Sequence, residues 1–367
     1  MSIGIVVCGN QSNVIEITKR LNSDCAIICF TDVTSIRRSY VQFDGHPYGD
    51  IDKYAFDYLI VSYSEDKLIE EAIKEFRAYR DKIIIYSWFK NSTIIDPINK
   101  YMSSSYEYQR IILGMSHSQN GILTQYLSIP TYKFSLPSMD LFCHYRIVDK
   151  ISEDSNIKEV ILELPYYIFN YDLSKSKRSA KSRLFYFEKL GDYHNYGATD
   201  DNEKNVISQF HHYLKIFNND NMLTTINNFE IDINSKESVK SRCFKIIKQI
   251  MVFKENTSVW TKHRDETINE NEYIFNELID LIKRKFPAAT IRIVICPFNP
   301  LFRLKNRKAI TQTKNMFYKI LSNTGIDIID NFTKYINPFD FLDHCHLTVG
   351  TAIEYTKFLD EYLSRRN

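Results

Sequence analysis

The stretch IILGMSHSQNGI, residues 111–122, joins an apolar run to a polar cluster. The run ends at Gly114, and Ser116, His117 and Ser118 follow closely. A continuous apolar run is typical of a strand buried on both faces of a parallel sheet, and ligands bind such sheets at the carboxyl ends of their strands. The stretch therefore predicts a buried strand that ends in a turn at a ligand-binding edge. Ser116 is either the cap of the following helix or a nucleophile at that edge.

Strand-like and helix-like stretches alternate on both sides of this turn. Four apolar runs in the first hundred residues have the character of strands, at residues 3–9, 25–32, 56–62 and 81–89. This alternation predicts an α/β protein with an N-terminal, Rossmann-like, doubly wound parallel sheet over residues 1–103. The pattern restarts after that, and predicts a second α/β domain over residues 104–367. Within it, the polar and aromatic residues 172–266 are expected to form a helical insertion or lid.

The last helix is predicted from the sequence TAIEYTKFLDEYLSRR, residues 351–366. Thr351 and Glu354 have the spacing of a capping box, so the helix is expected to begin at this threonine.

Composition excludes several classes of protein. The formal net charge is only +2 and no long basic tract is present, which argues against a nucleic-acid binder. No segment has the roughly 18 apolar residues of a membrane span. The seven cysteines are irregularly spaced and include no CxxC pair, so we expect reduced, buried thiols in a cytoplasmic protein, with no metal site. The sequence leaves open whether the protein forms a homo-oligomer.

The first predicted strand of the N-terminal domain ends in VVCGNQSN. Gly9 and Asn10 stand where a dinucleotide-binding domain carries its glycine-rich turn, and Asp32 ends the second strand as the ribose-binding acid would. Gly9 is the only glycine in that turn. Two hypotheses follow: a weak cofactor site for a nucleotide or sugar nucleotide at Gly9, Asn10 and Asp32, or a domain with only a structural or protein-docking role.

A second polar cluster, DHCHLTVG, lies at residues 343–350. Asp343 and His346 are three residues apart on one predicted turn, where a carboxylate can hold Nδ1–H of the imidazole and leave Nε2 as a base. Because loops that follow parallel strands gather at one edge, this pair is expected to lie near Ser116. The sequence thus predicts a Ser116, His346 and Asp343 triad.

Residues 104–367 resemble the SGNH/GDSL hydrolase superfamily. The segment ILGMSHS matches the block that carries the family nucleophile, and FLDHCHLTVGTAIEYTKFL matches the Asp-x-x-His-Leu block. The segments LGMSHSQNGI, SLPSMDLFCHYRIV and VILELPYYIFNYDL are similar to SGNH-type proteins of bacterial surface-polysaccharide modification. The resemblance implies that Ser116 is the nucleophile, His346 the base and Asp343 the acid.

The sequence departs from the family at the residues that stabilise the oxyanion. Met115 replaces the usual aspartate before the nucleophile, and the glycine and Gly-x-Asn-Asp blocks have no clean match. Ser135 or Ser138 stands where one missing donor would be, and Asn170 stands roughly where the other would be. His117 could contact the substrate, and Asn299 is expected to shape its pocket.

The resemblance implies a serine esterase or O-acyltransferase that acts on a surface polysaccharide or its glycan precursor. No cofactor is required; a transferase would use acetyl-CoA or another acyl donor as co-substrate. The expected partner is a carbohydrate. We expect neither a nucleic-acid partner nor a membrane-spanning segment. The alternative is a catalytically degenerate SGNH fold that binds a glycan or sugar nucleotide within a biosynthetic complex.

Overall fold

The computed structural model of the protein describes most of the chain. It covers residues 2–9, 11–33, 42–43, 46–47, 49–63, 65–89, 95–175, 186–187, 190–195, 208–209, 211–213, 215–217, 258–261 and 264–366. Asn10 and much of the predicted insertion lie outside the described residues.

The described residues form two compact units. The first contains those up to Thr93, with the described parts of Lys177–Lys189 and Asn195–Glu230, and the second contains the rest. The division therefore falls before the predicted boundary at residue 103. The reason is the helix Ile95–Ser104, whose buried Tyr101 packs its ring 5.2 Å from Tyr132 and so belongs to the second unit.

The predicted insertion does not belong to the second unit alone. The Tyr213 and Phe217 rings contact the Tyr86 ring of the first unit at 6.2 and 5.3 Å. Trp260, by contrast, packs against Phe298 of the second unit at 5.7 Å. Large buried aromatic side chains thus divide the described part of the insertion between the two units.

The first unit is built on a parallel four-stranded sheet. Its strands are β1 (Ile3–Cys8), β2 (Cys25–Thr31), β3 (Tyr58–Val61) and β4 (Ile83–Ile85). Their order is β2-β1-β3-β4, so the chain reverses direction across the sheet between β1 and β3. A short antiparallel pair, Gln42–Phe43 with His46–Pro47, stands apart from this sheet.

The second unit is built on a parallel five-stranded sheet. Its strands are β5 (Arg110–Gly114), β6 (Thr131–Ser135), β7 (Glu159–Glu163), β8 (Thr290–Ile295) and β9 (Asp327–Asp330). The order is β9-β8-β7-β5-β6, which puts the topological switch point between β5 and β7. Every residue of these two central strands is buried, so both sheet faces are covered. Open α/β sheets bind ligands at this switch point, beyond the carboxyl ends of the strands.

Helices connect the strands in both units. They are α1 (Gln11–Thr18), α2 (Asp66–Glu75), α3 (Tyr86–Phe89), α4 (Ile95–Ser104), α5 (Ser116–Gly121), α6 (Leu141–Lys150), α7 (Ser258–Thr261), α8 (Asp265–Lys285), α9 (Pro300–Lys305), α10 (Arg307–Leu321) and α11 (Val349–Ser364). Short 3-10 helices occur at Ile51–Lys53, Arg77–Lys82, Ser105–Glu107, Thr124–Tyr126, Ile168–Asn170, Leu173–Lys175 and Pro338–Asp340. Together with the two parallel sheets, they confirm the predicted two-domain α/β class.

The last helix, α11, packs on one face of the five-stranded sheet. Its buried Tyr355 and Leu359 join a core with Ile112 of β5 and Ile161 of β7. The helix begins at Val349, and its N-cap is Thr348, whose hydroxyl accepts from the Thr351 backbone N–H. The predicted start at Thr351 is therefore wrong, because the preceding threonine already supplies the capping oxygen.

No helix in the described part of the chain has both the length and the apolar character needed to cross a membrane.

Candidate functional site

A tight turn after β5 positions Ser116. Met115 is the N-cap of α5, and Ser116 is its first residue and is partly exposed. A Cβ on Gly114 would lie 2.0 Å from Ser118 Oγ and 2.9 Å from Glu163 Cβ, so no side chain fits there. Glycine thus allows Ser118 and Glu163 to pack closely against the end of β5, two residues before Ser116.

The Ser116 hydroxyl makes no hydrogen bond to another described residue. The predicted hydrogen bond to His346 Nε2 is thus absent from this structure. Apart from a 3.9 Å approach to Cys345 Sγ, that ring nitrogen is also without a partner among the described residues. Catalytic hydrogen bonds are often long or unformed without substrate, so the arrangement leaves both groups available to a ligand.

Asp343 and His346 form the predicted pair. His346 Nδ1 lies 2.6 Å from Asp343 Oδ2, and Asp343 Oδ1 accepts from the backbone N–H groups of Cys345 and His346 at 2.8 and 2.9 Å. Burial alone would raise the pKa of the Asp343 carboxyl. Its hydrogen bond to His346 and the nearby charges of His346 and His344 instead hold that pKa below its usual range. The ionised carboxylate therefore fixes Nδ1–H toward itself and leaves Nε2 free to act as a base.

Asn299 holds the loop that carries this pair. Its side chain is fully buried, and its Nδ2 donates to the carbonyl oxygens of Asp343 and Pro338 at 3.1 and 3.3 Å. Its Oδ1 accepts from Leu301 N at 2.9 Å and caps α9. The prediction that Asn299 shapes the pocket stays a prediction. In the structure its amide joins α9 to the Asp343 loop and so positions that loop.

A buried acid that the sequence analysis missed lies under the Ser116 turn. Glu163 is the last residue of β7 and has no exposed surface. One carboxylate oxygen accepts from Met115 N at 2.8 Å and lies 3.2 Å from Ser118 Oγ, and the other lies 3.2 Å from His117 Nδ1. Burial alone would raise its pKa, but the charge and hydrogen bond of His117 hold it below the usual value. The signal that could have revealed it is the acid inside the apolar run VILELPYYIF.

His117 connects the two halves of the site. It is buried, and its ring lies 6.1 Å from the ring of His346 and 5.0 Å from that of Phe298. Because its Nδ1 faces Glu163, its Nε2 is the remaining polar atom, and that atom has no hydrogen-bond partner among the residues described. The residue beside Ser116 therefore brings the β5 turn next to the Asp343–His346 pair.

Aromatic rings line the same region. The ring centroid of Trp260 lies 5.0 Å from that of Tyr167 and 5.7 Å from that of Phe298. The ring centroid of Tyr167 lies 6.4 Å from that of His117. Such rings stack on sugars, but they also pack together in many cores.

The other predicted oxyanion donors make contacts of different kinds. Ser135 ends β6 and accepts from Ser118 Oγ at 2.9 Å, in a buried contact. Ser138 has a positive φ of 61°, and its carbonyl accepts from Tyr171 Oη at 3.1 Å. Asn170 donates to the Val259 carbonyl at 2.7 Å and accepts from the backbone N–H of Arg264 at 3.0 Å. The structure brings Ser135 next to Ser118, which also contacts Glu163, and gives Asn170 a structural role.

Gly9 and Asp32, the described residues of the predicted cofactor site, directly follow β1 and β2. Gly9 stands at the switch point, where a Cβ would lie 1.7 Å from Ser62 Oγ. The Asp32 carboxylate accepts a hydrogen bond from the Tyr63 hydroxyl, which also accepts from Val33 N at 3.2 Å. A ribose would have to compete with Tyr63 for this acid. Nucleotide binding stays a prediction.

Two groups of side chains in the described residues have metal-ligand chemistry. One is Asp343, His344 and Cys345, and the other is Asp172, His194 and Glu270. Burial raises the pKa of the Cys345 thiol well above its usual value, which disfavours the thiolate that a metal needs. In the second group the Lys175 ammonium lies 3.2 Å from both carboxylates and already supplies the positive charge.

Comparisons with known proteins add little. No family model matches the chain, and no curated protein matches it. The chain is similar to a solved structure from Streptococcus pneumonia that is described provisionally as a platelet activating factor. The two are 11% identical over 80% of this chain and 99% of the other, with a TM-score of 0.40. A likeness at this level carries no argument about fold or function.

Proposed function

We propose that the protein is an SGNH-type serine esterase or O-acyltransferase that acts on a surface polysaccharide or its glycan precursor. The observation that supports this most is the 2.6 Å contact between Asp343 and His346, next to the turn that presents Ser116. Acyl transfer needs an oriented imidazole and a serine that can reach it, and here the imidazole lies near the turn that carries the partly exposed Ser116.

The reaction has two steps. Ser116 Oγ attacks the acyl carbonyl while His346 Nε2 takes its proton, and the resulting imidazolium, stabilised by Asp343, gives that proton to the leaving sugar oxygen. The acyl-serine is then attacked by water or by a second hydroxyl, whose proton passes to His346 Nε2. As the bond between the acyl group and Ser116 Oγ breaks, His346 returns that proton to Ser116 Oγ. Water makes the protein an esterase. A sugar hydroxyl makes it a transferase, with acetyl-CoA or another acyl donor in the first step.

The oxyanion needs donors, and two are available at the turn. One is the backbone N–H of Ser116 at the start of α5. The other is His117, which can carry a proton on Nε2 when its imidazolium pairs with the Glu163 carboxylate. Loss of one such donor costs about 3 kcal/mol of barrier. This pair would replace the glycine and asparagine that the sequence lacks.

The second candidate function is a glycan- or sugar-nucleotide-binding protein with a degenerate site. The absence of a hydrogen bond between Ser116 and His346 favours it, as does the engagement of Asn170 with Val259 and Arg264. In this hypothesis the aromatic rings and His117 bind a sugar, and no acyl group is transferred.

Release of acetate from an O-acetylated polysaccharide, or from p-nitrophenyl acetate, separates the two. The esterase predicts turnover by the full chain, loss of turnover in Ser116→Ala, and full activity in the control Ser103→Ala, which alters an exposed serine on α4. A transferase predicts acetylated sugar when acetyl-CoA and an acceptor are supplied. Equal, background-level rates in all three proteins, with and without acetyl-CoA, would support the binding protein instead.

The free thiols of the described cysteines fit a reducing compartment, which supports the proposal of a cytoplasmic protein.

A further inference from the structure

Exposed large apolar side chains are concentrated beside the candidate site. Ten such side chains are exposed in the described residues, and half of them lie in two short segments, 301–304 and 336–342. Ile336 and Leu304 are the most exposed of the ten, at 84% and 74%. The members of this cluster, the apolar rim, are Leu301, Leu304, Ile336, Phe339 and Leu342.

Hydrogen bonds hold the two segments of the apolar rim together. Asn299, which caps α9, donates to the Pro338 carbonyl at 3.3 Å, and Arg303 Nη2 donates to the Tyr335 carbonyl at 2.7 Å. The same asparagine bonds the Asp343 carbonyl at 3.1 Å. The apolar rim is therefore a fixed edge next to the Asp343–His346 pair.

The chain that includes and flanks the two segments carries a local excess of positive charge. Residues 300–308 and 333–342 contain five Lys or Arg side chains and one acid, Asp340, in a chain whose net charge is only +2. Four of the five cations are exposed: Lys305, Arg307, Lys308 and Lys334.

We propose that the apolar rim docks on an anionic phospholipid surface. Its apolar side chains would enter the boundary between headgroups and acyl chains, while the flanking cations contact lipid phosphates. Exposed apolar side chains flanked by Lys and Arg match this surface in both polarity and charge. A second copy of the chain fits less well, because a two-fold contact would bring the same cations against one another.

Docking in this way would bring the candidate site to the membrane, where a lipid-anchored glycan or acyl donor would reach it. The docking itself does not depend on the chemistry at Ser116, and it is measured without substrate.

Co-sedimentation of the full chain with vesicles tests the proposal. Vesicles that contain phosphatidylglycerol should bind the protein at low salt, and pure phosphatidylcholine or 0.5 M salt should weaken binding. The double variant Leu304→Ser/Ile336→Ser should lower the affinity at least about tenfold, because two apolar anchors are lost. The control Tyr273→Ser, at a side chain 66% exposed on α8, should bind as the unaltered protein does.

Three results would overturn the proposal. The first is no binding to phosphatidylglycerol vesicles at low salt. The second is equal binding by the double variant and the unaltered protein. The third is a solution dimer that the double variant converts to a monomer, which would assign the apolar rim to contact between two copies. Matched thermal unfolding curves show that the exposed substitutions leave the fold intact.

Discussion

Glu163 Oε1 lies 3.2 Å from Nδ1 of His117, so two neighbouring strands join their carboxyl ends through a buried acid and an imidazole. The other oxygen of Glu163 accepts from Met115 N. The carboxylate therefore bonds both the turn before Ser116 and the side chain after it. A buried charge in such a place is stable only because these donors surround it.

The variant Glu163→Gln should reduce acyl transfer at least about tenfold. The amide has the size of the acid but not its charge, so it would no longer stabilise an imidazolium at His117. The effect should fall on kcat more than on KM and should change the pH profile of kcat. Steady-state kinetics between pH 5 and 9 measure it. The exposed Glu153→Gln is the control, and an unaltered pH profile in Glu163→Gln would assign Glu163 a structural role only.

The variant Asp343→Asn should lower kcat by about a thousandfold or more. Its amide oxygen can still accept from the backbone of Cys345, but the carboxylate that fixes the His346 tautomer is lost. Circular dichroism should match the unaltered protein. Retention of more than about a tenth of the activity would show that His346 needs no orienting acid and would remove Asp343 from the mechanism.

The variant Gly114→Ala should destabilise the protein by about 1–3 kcal/mol, because the new methyl group would press on Ser118 Oγ and Glu163. Gly350→Ala is the matched control, since a Cβ at Gly350 has no heavy atom within 4 Å and lies in helix α11. Urea unfolding should give a lower free energy of unfolding for the first variant and an equal or higher one for the second. Equal stabilities for Gly114→Ala and the unaltered protein would disprove the close approach.

Stability should decrease as the pH falls from about 6.5 to 4. His144 is fully buried, and burial lowers its pKa to about 4, outweighing the opposing effects of the Gly114 backbone and of Glu163. Because an unfolded histidine titrates near 6.5, the unfolded chain binds the proton first in this interval, which favours unfolding. The free energy of unfolding at pH 7, 5.5 and 4.5 measures the effect.

The variant His144→Leu should make that pH dependence shallower. Part of it should remain, because the pKa of His344 is also lowered to about 4 by burial. An identical slope in the variant and the unaltered protein would mean that the pKa of His144 is the same in the folded and unfolded states.

The fold was predictable because strands covered on both faces are continuous apolar runs. The runs around Ile5, Ile60, Ile112 and Ile161 all became buried parallel strands. The ends of the strands were harder to predict. The run at 81–89 continues past Ile85 into the helix Tyr86–Phe89, because aromatic residues occur in both strands and helices. The unit boundary depends on tertiary packing of Tyr101, which the local pattern does not encode.

The placement of the candidate residues was predictable in part. The end-of-strand rule placed Ser116 just after a buried strand, and the three-residue spacing predicted the contact between Asp343 and His346. Glu163 was missed because its run, VILELPYYIF, was taken as a strand only, without asking what an acid does inside it. The positioning role of Asn299 was equally hidden, since it depends on which carbonyl groups the fold brings to its amide.

Covalent labelling of the folded chain with a fluorophosphonate tests the central claim most directly. If Ser116 is a nucleophile activated by His346, intact-mass analysis should show one adduct, and peptide mapping should place it on Ser116. Ser116→Ala should show no adduct, and His346→Ala should label far more slowly. No adduct on the folded, unaltered protein, or an adduct that persists in Ser116→Ala, would contradict the account.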